Sequence, residues 1–318
     1  MVQFLIKRLI GFLFVVLCIS FITFMMGRLA PGDPIRNMMG QHQDPQVYQQ
    51  LRHQYGLDKP ILQQYVEYMG GVLKLDFGLS YQEIGRPVSE MIVQGIPASA
   101  ELGFWGFLLT ICVGLPLGIL AALKANTWID TLVVGLSLLT WALPSFILAV
   151  FAQVFIVWLN KAGFPWPVAN WGQPWQYGWE DLQYKIVPIV VYAALSFAGF
   201  VRYARSTMLE VLRQDYVRTA RAKGMSERVV IYRHAFRNAL IPLVTLIGVS
   251  VGFLITGSFF IEQIFNIPGI GSIGLNAINN RDYPVIVAAT LLFASCAVVG
   301  NLISDLLYSV VDPRIKVE

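Results

Sequence analysis

The residues with the clearest chemical pattern form a basic segment between two apolar runs, Asp215-Tyr-Val-Arg-Thr-Ala-Arg-Ala-Lys-Gly224. Asp215 can cap the first turn of a short helix, and Gly224 can take the left-handed conformation that ends one. Ala220 and Ala222 keep part of the helix surface small, so another protein could approach it closely. On composition alone, a plain basic cytoplasmic loop of the kind found in many membrane proteins explains the segment equally well.

No other group of residues in the sequence has the spacing of a reactive site. A Gly-x-x-x-x-Gly-Lys-Ser/Thr run is absent from the sequence, so the chain lacks the usual cradle for nucleotide phosphates. The cysteines Cys18, Cys112 and Cys296 lie in apolar runs without pairing or metal-ligand spacing. We therefore predict no catalytic residue, no metal site and no cofactor in this chain. Energy for any transport must come from another subunit or from an ion gradient.

Composition predicts an all-α integral membrane protein. The 318 residues are 56% hydrophobic and 13% charged, which is more apolar surface than a soluble core could bury. Six apolar runs are long enough to cross a bilayer core of about 30 Å at about 1.5 Å per residue. They cover residues 9–27, 98–123, 131–159, 186–206, 238–261 and 284–309.

These runs divide the chain into three parts. Residues 1–29 hold the first transmembrane helix, and residues 30–97 form a large outer segment between helices 1 and 2. Residues 98–318 form a five-helix core that includes a cytoplasmic loop at 207–237. In the outer segment, apolar residues at helical spacing predict an amphipathic helix that packs on the membrane helices rather than a ligand site. They are Leu62, Tyr65, Val66, Met69 and Leu73.

Charge predicts the orientation of the helices. The segments that we place inside carry fourteen Lys and Arg residues, whereas the two short outer loops carry only Lys161, Lys185 and Arg281. Both termini are therefore expected in the cytoplasm. The charged residues Glu101 and Asp305 fall toward span ends, and the span centres carry no Asp, Glu, Lys, Arg or His, which argues against a proton-coupled or ion-coupled carrier.

Two further patterns concern packing and the membrane interface. Gly114-x-x-x-Gly118 and Gly248-x-x-x-Gly252 place two glycines on one helix face, which lets a neighbouring helix approach closely. Four tryptophans crowd the 160–185 connection and are typical of an outer membrane interface. They are Trp166, Trp171, Trp175 and Trp179.

The basic segment resembles the loop with which permease subunits of ABC importers engage their ATPases. Arg218-Thr-Ala-Arg-Ala-Lys-Gly224, followed by His234-Ala-Phe-Arg-Asn-Ala-Leu-Ile-Pro242, is similar to the dipeptide, oligopeptide and nickel branch. The general importer pattern is Glu-Ala-Ala, three residues, Gly, nine residues, then Ile-x-Leu-Pro. Ala220 and Gly224 match it, whereas Arg218 stands at the Glu position and His234–Arg237 stand at the last four positions.

Landmarks of the same branch follow in matching order along nearly the whole chain. They are Pro31-Gly-Asp-Pro34, Tyr55-Gly-Leu-Asp-Lys-Pro60, Leu75-Asp-Phe-Gly-Leu-Ser80, Phe265-Asn-Ile-Pro-Gly-Ile-Gly271, Arg281-Asp-Tyr-Pro-Val285 and Val311-Asp-Pro-Arg314. The resemblance implies a type I ABC importer permease fold with six transmembrane helices, in a bacterial or archaeal cytoplasmic membrane.

The resemblance also implies partners and site residues. The partners would be membrane lipid, a homologous second permease, two ABC ATPases that bind ATP and Mg, and an outer substrate-binding protein, without nucleic acid. The ATPase-coupling residues would be Asp215, Tyr216, Arg218, Ala220, Arg221 and Gly224. The translocation pathway would be lined by Trp141, Pro144, Ser145, Gly252 and Thr256.

Two questions stay open at this point. The cargo would be dipeptides or oligopeptides, but nickel chelates, glutathione-like peptides and oligosaccharides fit the same resemblance. A self-sufficient secondary carrier or channel is the alternative class of protein. The missing nucleotide site together with the coupling-loop pattern favours the importer subunit.

Overall fold

A computed structural model of the chain describes residues 2–29, 33–39, 44–252 and 254–311. Within these residues the secondary structure is helical, and the only extended pairing is one isolated bridge between Leu79 and Pro87. Two sequence landmarks, at 31–34 and 311–314, lie partly outside the described residues. The helices are α1 (Val2–Leu29), α2 (Pro34–Met39), α3 (Pro45–Gln54), α4 (Ile61–Val72), α5 (Val88–Leu109), α6 (Leu115–Leu123), α7 (Trp128–Ala142), α8 (Ser145–Lys161), α9 (Trp179–Leu212), α10 (Asp215–Ala222), α11 (Glu227–Val229), α12 (Arg237–Val251), α13 (Phe259–Ile264), α14 (Ile270–Asn280) and α15 (Tyr283–Val311).

Among the described residues, four helices are long and apolar enough to cross a membrane, and two bent pairs raise the number to six if each counts as one span. The four are Arg8–Leu29, Val88–Leu123, Trp179–Leu212 and Tyr283–Leu306. Val88–Leu123 joins α5 and α6 through a π-helical turn at Thr110–Gly114. The second span therefore begins at Val88, ten residues before the predicted position, because the polar start of this helix hid it from a search for apolar residues.

The bent pairs correct the third and fifth predicted spans. The apolar run 131–159 is not one straight helix, because α7 and α8 meet at an angle of 103°. The fifth helix bends by 48° and ends at Val251, not near residue 261. Leu143 has an extended backbone, which is the conformation that the following Pro144 favours. Sequence hydropathy could not show either break, since the apolar character continues through both.

Glycines allow the close helix contacts that the sequence predicted. A Cβ atom added at Gly118 would lie 2.5 Å from the Val201 carbonyl oxygen on α9. One added at Gly248 would lie 2.5 Å from the Ser304 Cα on α15. Such short distances are possible only because each glycine lacks a side chain, so α6 packs closely on α9 and α12 on α15.

Helices α1 and α15 lie side by side in opposite directions. The Arg8 guanidinium near the start of α1 pairs with the Asp305 carboxylate near the end of α15 at 2.5 Å. At the other end, a Cβ atom at Gly27 would lie 3.0 Å from the Tyr283 ring. The first described residues and the end of α15 therefore lie on one side of the bundle.

The predicted amphipathic helix in the outer segment is α4, which lies against α1. Its stripe divides into two parts. Tyr65 packs on α1, whereas Leu62, Val66 and Leu73 are exposed. The expected packing on the membrane helices therefore holds for only part of the stripe.

Candidate functional site

The basic segment forms α10, an eight-residue helix between the end of α9 and the start of α11. Its N-cap residue is Gln214, and Asp215 is the first helical residue. The predicted capping role of Asp215 is therefore wrong by one position, although an acidic residue in the first turn still suits the positive end of the helix dipole. Asp215 is 96% exposed and Arg218 lies 3.6 Å from it, also exposed.

A tight bend follows α10, and the sequence predicted it correctly. Gly224 has φ +73°, the left-handed conformation in which a side chain is strained. The Gly224 N–H donates to the Arg221 carbonyl, and the Met225 N–H donates to the Ala220 carbonyl. These bonds satisfy carbonyl groups at the end of the helix, as is usual where a glycine terminates one.

An ion pair closes this bend. The Arg221 guanidinium donates from Nη2 to Glu227 Oε1 at 2.6 Å and from Nε to Oε2 at 3.2 Å. This bidentate contact raises the pKa of the Arg221 guanidinium, so the side chain keeps its charge. Because Arg221 belongs to α10 and Glu227 to α11, the pair connects the two helices across the bend.

The inner side of α10 is apolar and packs on the chain itself. Val217, Ala220 and Val230 form a small buried cluster, in which Ala220 is 5% exposed. The prediction that Ala220 leaves room for another protein is therefore wrong, since its small size accommodates the following helical segment Val230–Phe236 instead. Ala222, on the opposite side, is exposed. Val217 and Ala220, three residues apart, were the sequence signal for the buried side.

The exposed surface of this region includes aromatic side chains. Tyr216 on α10 is 40% exposed, and Tyr232 in the π-helical segment Val230–Phe236 is 70% exposed. Tyrosine and arginine are enriched at the energetically important positions of protein interfaces. Tyr216 was among the predicted residues. Tyr232 was missed, because nothing in the sequence distinguishes it from the apolar residues of the span that follows.

The break between α7 and α8 contains three of the predicted pathway residues. Trp141 is 65% exposed near the end of α7, Pro144 is the N-cap of α8, and Ser145 is its first residue. The Arg202 guanidinium on α9 lies 5.6 Å from the Trp141 ring centre, a cation–π distance. Non-helical backbone at membrane depth is stable only where protein covers it or where it lines a watery cavity.

The other two predicted pathway residues are placed differently. Gly252 is buried, and a Cβ atom there would lie 2.5 Å from both the Cys296 carbonyl oxygen and the Gly300 Cα on α15. It is a helix-packing residue, so the predicted pathway role is contradicted by its surroundings. Thr256 is half-buried in the turn after α12, not on a continuous fifth span.

A fully buried ion pair connects α5 and α9. Lys185 Nζ lies 2.9 Å from Glu101 Oε1, and both side chains have no exposed area. Glu101 Oε2 accepts the Trp171 indole N–H at 2.9 Å, and Lys185 also donates to the Gln173 and Gln176 carbonyls. The sequence had placed Lys185 in an outer loop, Glu101 near a span end and Trp171 at an interface. All three are instead buried and bonded to one another, and together they hold the loop that follows α8 against α5 and α9.

Removing one partner of this pair is expected to destabilise the protein strongly. Lys185→Ala would leave the Glu101 carboxylate buried beside two N–H donors without a cation, at a cost of about 3–5 kcal/mol. Lys161→Ala, at the exposed end of α8, is the matched control. Thermal unfolding of the two purified variants measures the difference. Equal stability of both variants would contradict the structural role of the buried pair.

Two sequence landmarks that are distant along the chain meet just before the start of α15. The Asp282 carboxylate accepts hydrogen bonds from the Ser80 hydroxyl and from the Tyr81 N–H, the latter at 3.1 Å. Ser80 ends the Leu75-Asp-Phe-Gly-Leu-Ser80 landmark, and Asp282 belongs to Arg281-Asp-Tyr-Pro-Val285. The contact ties the outer segment to the start of α15.

The Pro-Gly-Ile-Gly landmark encloses another buried carboxylate, Glu262 on α13. Glu262 Oε1 accepts the Ser99 hydroxyl at 2.8 Å, and Oε2 accepts the Ser272 N–H at 3.0 Å. A Cβ atom at Gly269 would lie 2.3 Å from this carboxylate. A side chain at this position would displace the Glu262 carboxylate and the Ser99 hydroxyl, and Glu262 holds α13, α14 and α5 together. Sequence reasoning missed Glu262, which lies just beyond an apolar run.

Comparison with known proteins gives one consistent result. Residues 114–317 match the family described as binding-protein-dependent transport system inner membrane component, and residues 1–103 match the N-terminal part of such a membrane component. The dipeptide transport system permease protein DppB of Bacillus subtilis is 37% identical over 99% of this chain and 98% of its own length.

Two other relatives also match this chain along almost their full length. The oligopeptide transport system permease protein AppB of Bacillus subtilis is 37% identical, over 99% of this chain and all of its own. The glutathione transport system permease protein GsiC of Shigella flexneri is 36% identical over 99% of both chains. With a family match over most of its length and relatives that it covers end to end, the chain belongs to the inner membrane permease components of binding-protein-dependent ABC transport systems.

Proposed function

We propose that this chain is the permease subunit through which an ABC importer moves dipeptides or longer peptides into the cytoplasm. Segment 215–224 is its contact with the ATPase subunits. The observation that carries the proposal is the exposed helix α10. An ion pair holds its C-terminal end, and short connections link it to two membrane helices. The relatives named above act on dipeptides, oligopeptides and glutathione, and all three substrates are peptides.

The position of α10 suits the transmission of force. Only two residues separate the end of α9 at Leu212 from the start of α10 at Asp215. On its other side, the Arg221–Glu227 pair fastens α10 to the helix that continues into α12. Below it, Met208 of α9 packs on Ala235 and Ala239 in one buried cluster. Motion of an ATPase that holds α10 would therefore reach both membrane helices together.

The chemistry of the exposed surface suits a protein partner. Tyr216 and Tyr232 offer aromatic contact area, and Arg218, two residues after Tyr216, offers an exposed cation. Ala222 adds a small outward-facing position at which a partner backbone can approach. A lipid surface would require a broader apolar face than this helix has, since its only buried apolar residues, Val217 and Ala220, face the chain itself.

For the transport route, we propose the exposed break between α7 and α8, at the interface with a homologous second permease. Trp141, Pro144 and Ser145 would line it, and Thr256 would lie in the neighbouring turn. Two contacts fix the break: Arg205 of α9 pairs with Asp130 of α7 at 2.6 Å, and Gln153 of α8 donates to the Ile264 carbonyl. Discontinuous membrane helices form the substrate sites of many transporters, so the break between these two anchored half-helices is where we place the gate.

The proposed complex contains a second permease, two ATPases that bind ATP and Mg, and an outer substrate-binding protein. Both termini of this chain lie in the cytoplasm. The charge bias of the sequence and the antiparallel packing of α1 and α15 support this topology. The outer landmarks that meet at Asp282 then face the side from which a binding protein would deliver cargo.

Reconstitution into proteoliposomes tests the proposal. The permease, assembled with a second permease and two ATPases, is expected to take up a radiolabelled dipeptide only when ATP is present on the ATPase side and binding protein on the other. Dissipating ion gradients with ionophores should leave uptake unchanged. Uptake without ATP that follows an ion gradient would instead identify a secondary carrier, and uptake of a nickel chelate or an oligosaccharide but no peptide would reassign the cargo.

A further inference from the structure

Helix α4 of the outer segment contacts α1 through aromatic side chains. The Tyr65 hydroxyl lies 2.9 Å from Ser20 Oγ, and the Tyr65 ring centre lies 5.3 Å from that of Phe21. One turn further along, the Tyr68 ring packs against Phe24 at 5.8 Å. The side of α4 that carries these tyrosines therefore faces α1.

The level of this contact on α1 can be estimated from the helix rise. The apolar window Arg8–Leu29 contains 22 residues and is about 33 Å long, close to the thickness of a bilayer core. Its charged ends, Arg8 and Arg28, mark the two boundaries. Ser20 lies eight residues before Arg28, which corresponds to about 12 Å toward the middle of the membrane. Tyr65 thus reaches α1 within the depth of the outer leaflet.

The side of α4 next to this contact is apolar and exposed. Leu62 and Val66 are each 68% exposed and Leu73 is 82% exposed, so no described residue covers them. In a helix these three positions lie within about 40° of one another, beside Tyr65. Gln63 and Glu67 lie about 160° around the helix from Tyr65, on the side that faces away from α1, and they are exposed and hydrogen-bonded to each other.

The apolar side of α4 continues the outward surface of α1. Leu17 and Phe21 are 50% and 43% exposed on α1, at the level where Tyr65 packs. A soluble partner could not reach side chains at that depth. Acyl chains can, because they already surround the neighbouring part of a helix that crosses the membrane.

The geometry points to α4 as a membrane-interface helix, whose Leu62, Val66 and Leu73 side chains insert into the outer leaflet while Gln63 and Glu67 face water. Helices with one apolar and one polar side bind at this boundary with their apolar side about 5–10 Å deep. The outer segment is then attached to the lipid surface as well as to α15, which fixes its height above the membrane. This inference rests on the packing of α4 and, for the leaflet it names, on the proposed topology, but not on the transport activity.

Spin labelling of the assembled complex in lipid nanodiscs tests the inference. The three native cysteines are replaced by alanine, and one nitroxide is attached at Leu62→Cys, Val66→Cys or Gln63→Cys. Collision with oxygen, which concentrates in lipid, is expected to exceed collision with a water-soluble nickel chelate at positions 62 and 66. The order should reverse at position 63. Co-elution of the other subunits shows that each labelled complex is assembled.

Two outcomes would overturn the inference. If the nickel chelate reaches positions 62 and 66 as readily as position 63, α4 lies in water above the membrane. If neither reagent reaches positions 62 and 66, another protein subunit covers them, and the partner is not lipid. Using two labelled positions on the same side guards against a local effect of one substitution.

Discussion

Replacing Gly252 with tryptophan is expected to eliminate the folded permease rather than to plug a transport route. A Cβ atom at this position would lie 2.5 Å from the Cys296 carbonyl oxygen and from the Gly300 Cα. Both atoms belong to the backbone of α15, which cannot turn aside as a flexible side chain can. Overpacking usually costs about 1–3 kcal/mol, and separating two backbones should exceed that range. Typical domain stability is only about 5–15 kcal/mol.

The yield of monodisperse protein after detergent extraction measures this effect. Gly11→Trp on α1 is the matched control, because a Cβ atom at Gly11 would have no atom within 4 Å. We expect normal yield from Gly11→Trp and little or none from Gly252→Trp. If Gly252→Trp gave a folded, assembled complex without uptake, the contact with α15 would be dispensable and the pathway assignment would return.

The glycine spacing around Gly252 shows how much of a helix contact the sequence can predict. The Gly248-x-x-x-Gly252 spacing predicted a close helix contact, and the structure has one. The spacing does not say which helix makes the contact. The resemblance also places the same glycine on a transport route, because it implies that the span carrying Gly252 lines that route. Only tertiary packing distinguishes the two.

The buried charges were beyond the reach of sequence reasoning for a related reason. Lys185 and Glu101 are 84 residues apart and each stands at the edge of an apolar run. Hydropathy assigns such residues to the membrane boundary, where water would solvate them. Their burial depends on meeting each other, on α9 and α5, and no local pattern encodes that meeting. The same holds for Ser80 and Asp282, 202 residues apart.

Local backbone chemistry was more predictable than packing. The left-handed bend at Gly224 follows from a glycine directly after a short helix, and the structure has it. The break before Pro144 also had a sequence signal, because the residue before proline avoids helical conformation and the run 131–159 exceeds one membrane crossing. The prediction of one span over 131–159 followed the continuous hydropathy of the run and not this signal. The inward direction of Ala220 could have been inferred from its spacing with Val217.

Replacing Gly224 with valine is expected to uncouple the permease from its ATPases while leaving it in the membrane. A Cβ atom here would have no atom within 4 Å, so the cost is backbone strain alone, about 1–2 kcal/mol at φ +73°. Relieving the strain requires a different bend, which breaks the hydrogen bond from the Met225 N–H to the Ala220 carbonyl and the Arg221–Glu227 pair. An energy of this size lowers the ratio of the native bend to other bends about 5–30-fold. Co-purified ATPase and ATP-dependent uptake should fall, by up to that factor.

Two comparisons separate this effect from general damage. Gly224→Asn should retain most of the coupling, because asparagine tolerates the left-handed conformation better than valine. Gly56→Val introduces the same backbone strain at φ +64°, also with open space around the Cβ, but in the outer segment. It should leave ATPase binding unchanged. If Gly224→Val bound the ATPases as well as Gly224→Asn and Gly56→Val do, the bend would not set the position of α10. Segment 215–224 would then be a solvated connection between two helices, because a docking helix could not tolerate the loss of its fixed angle.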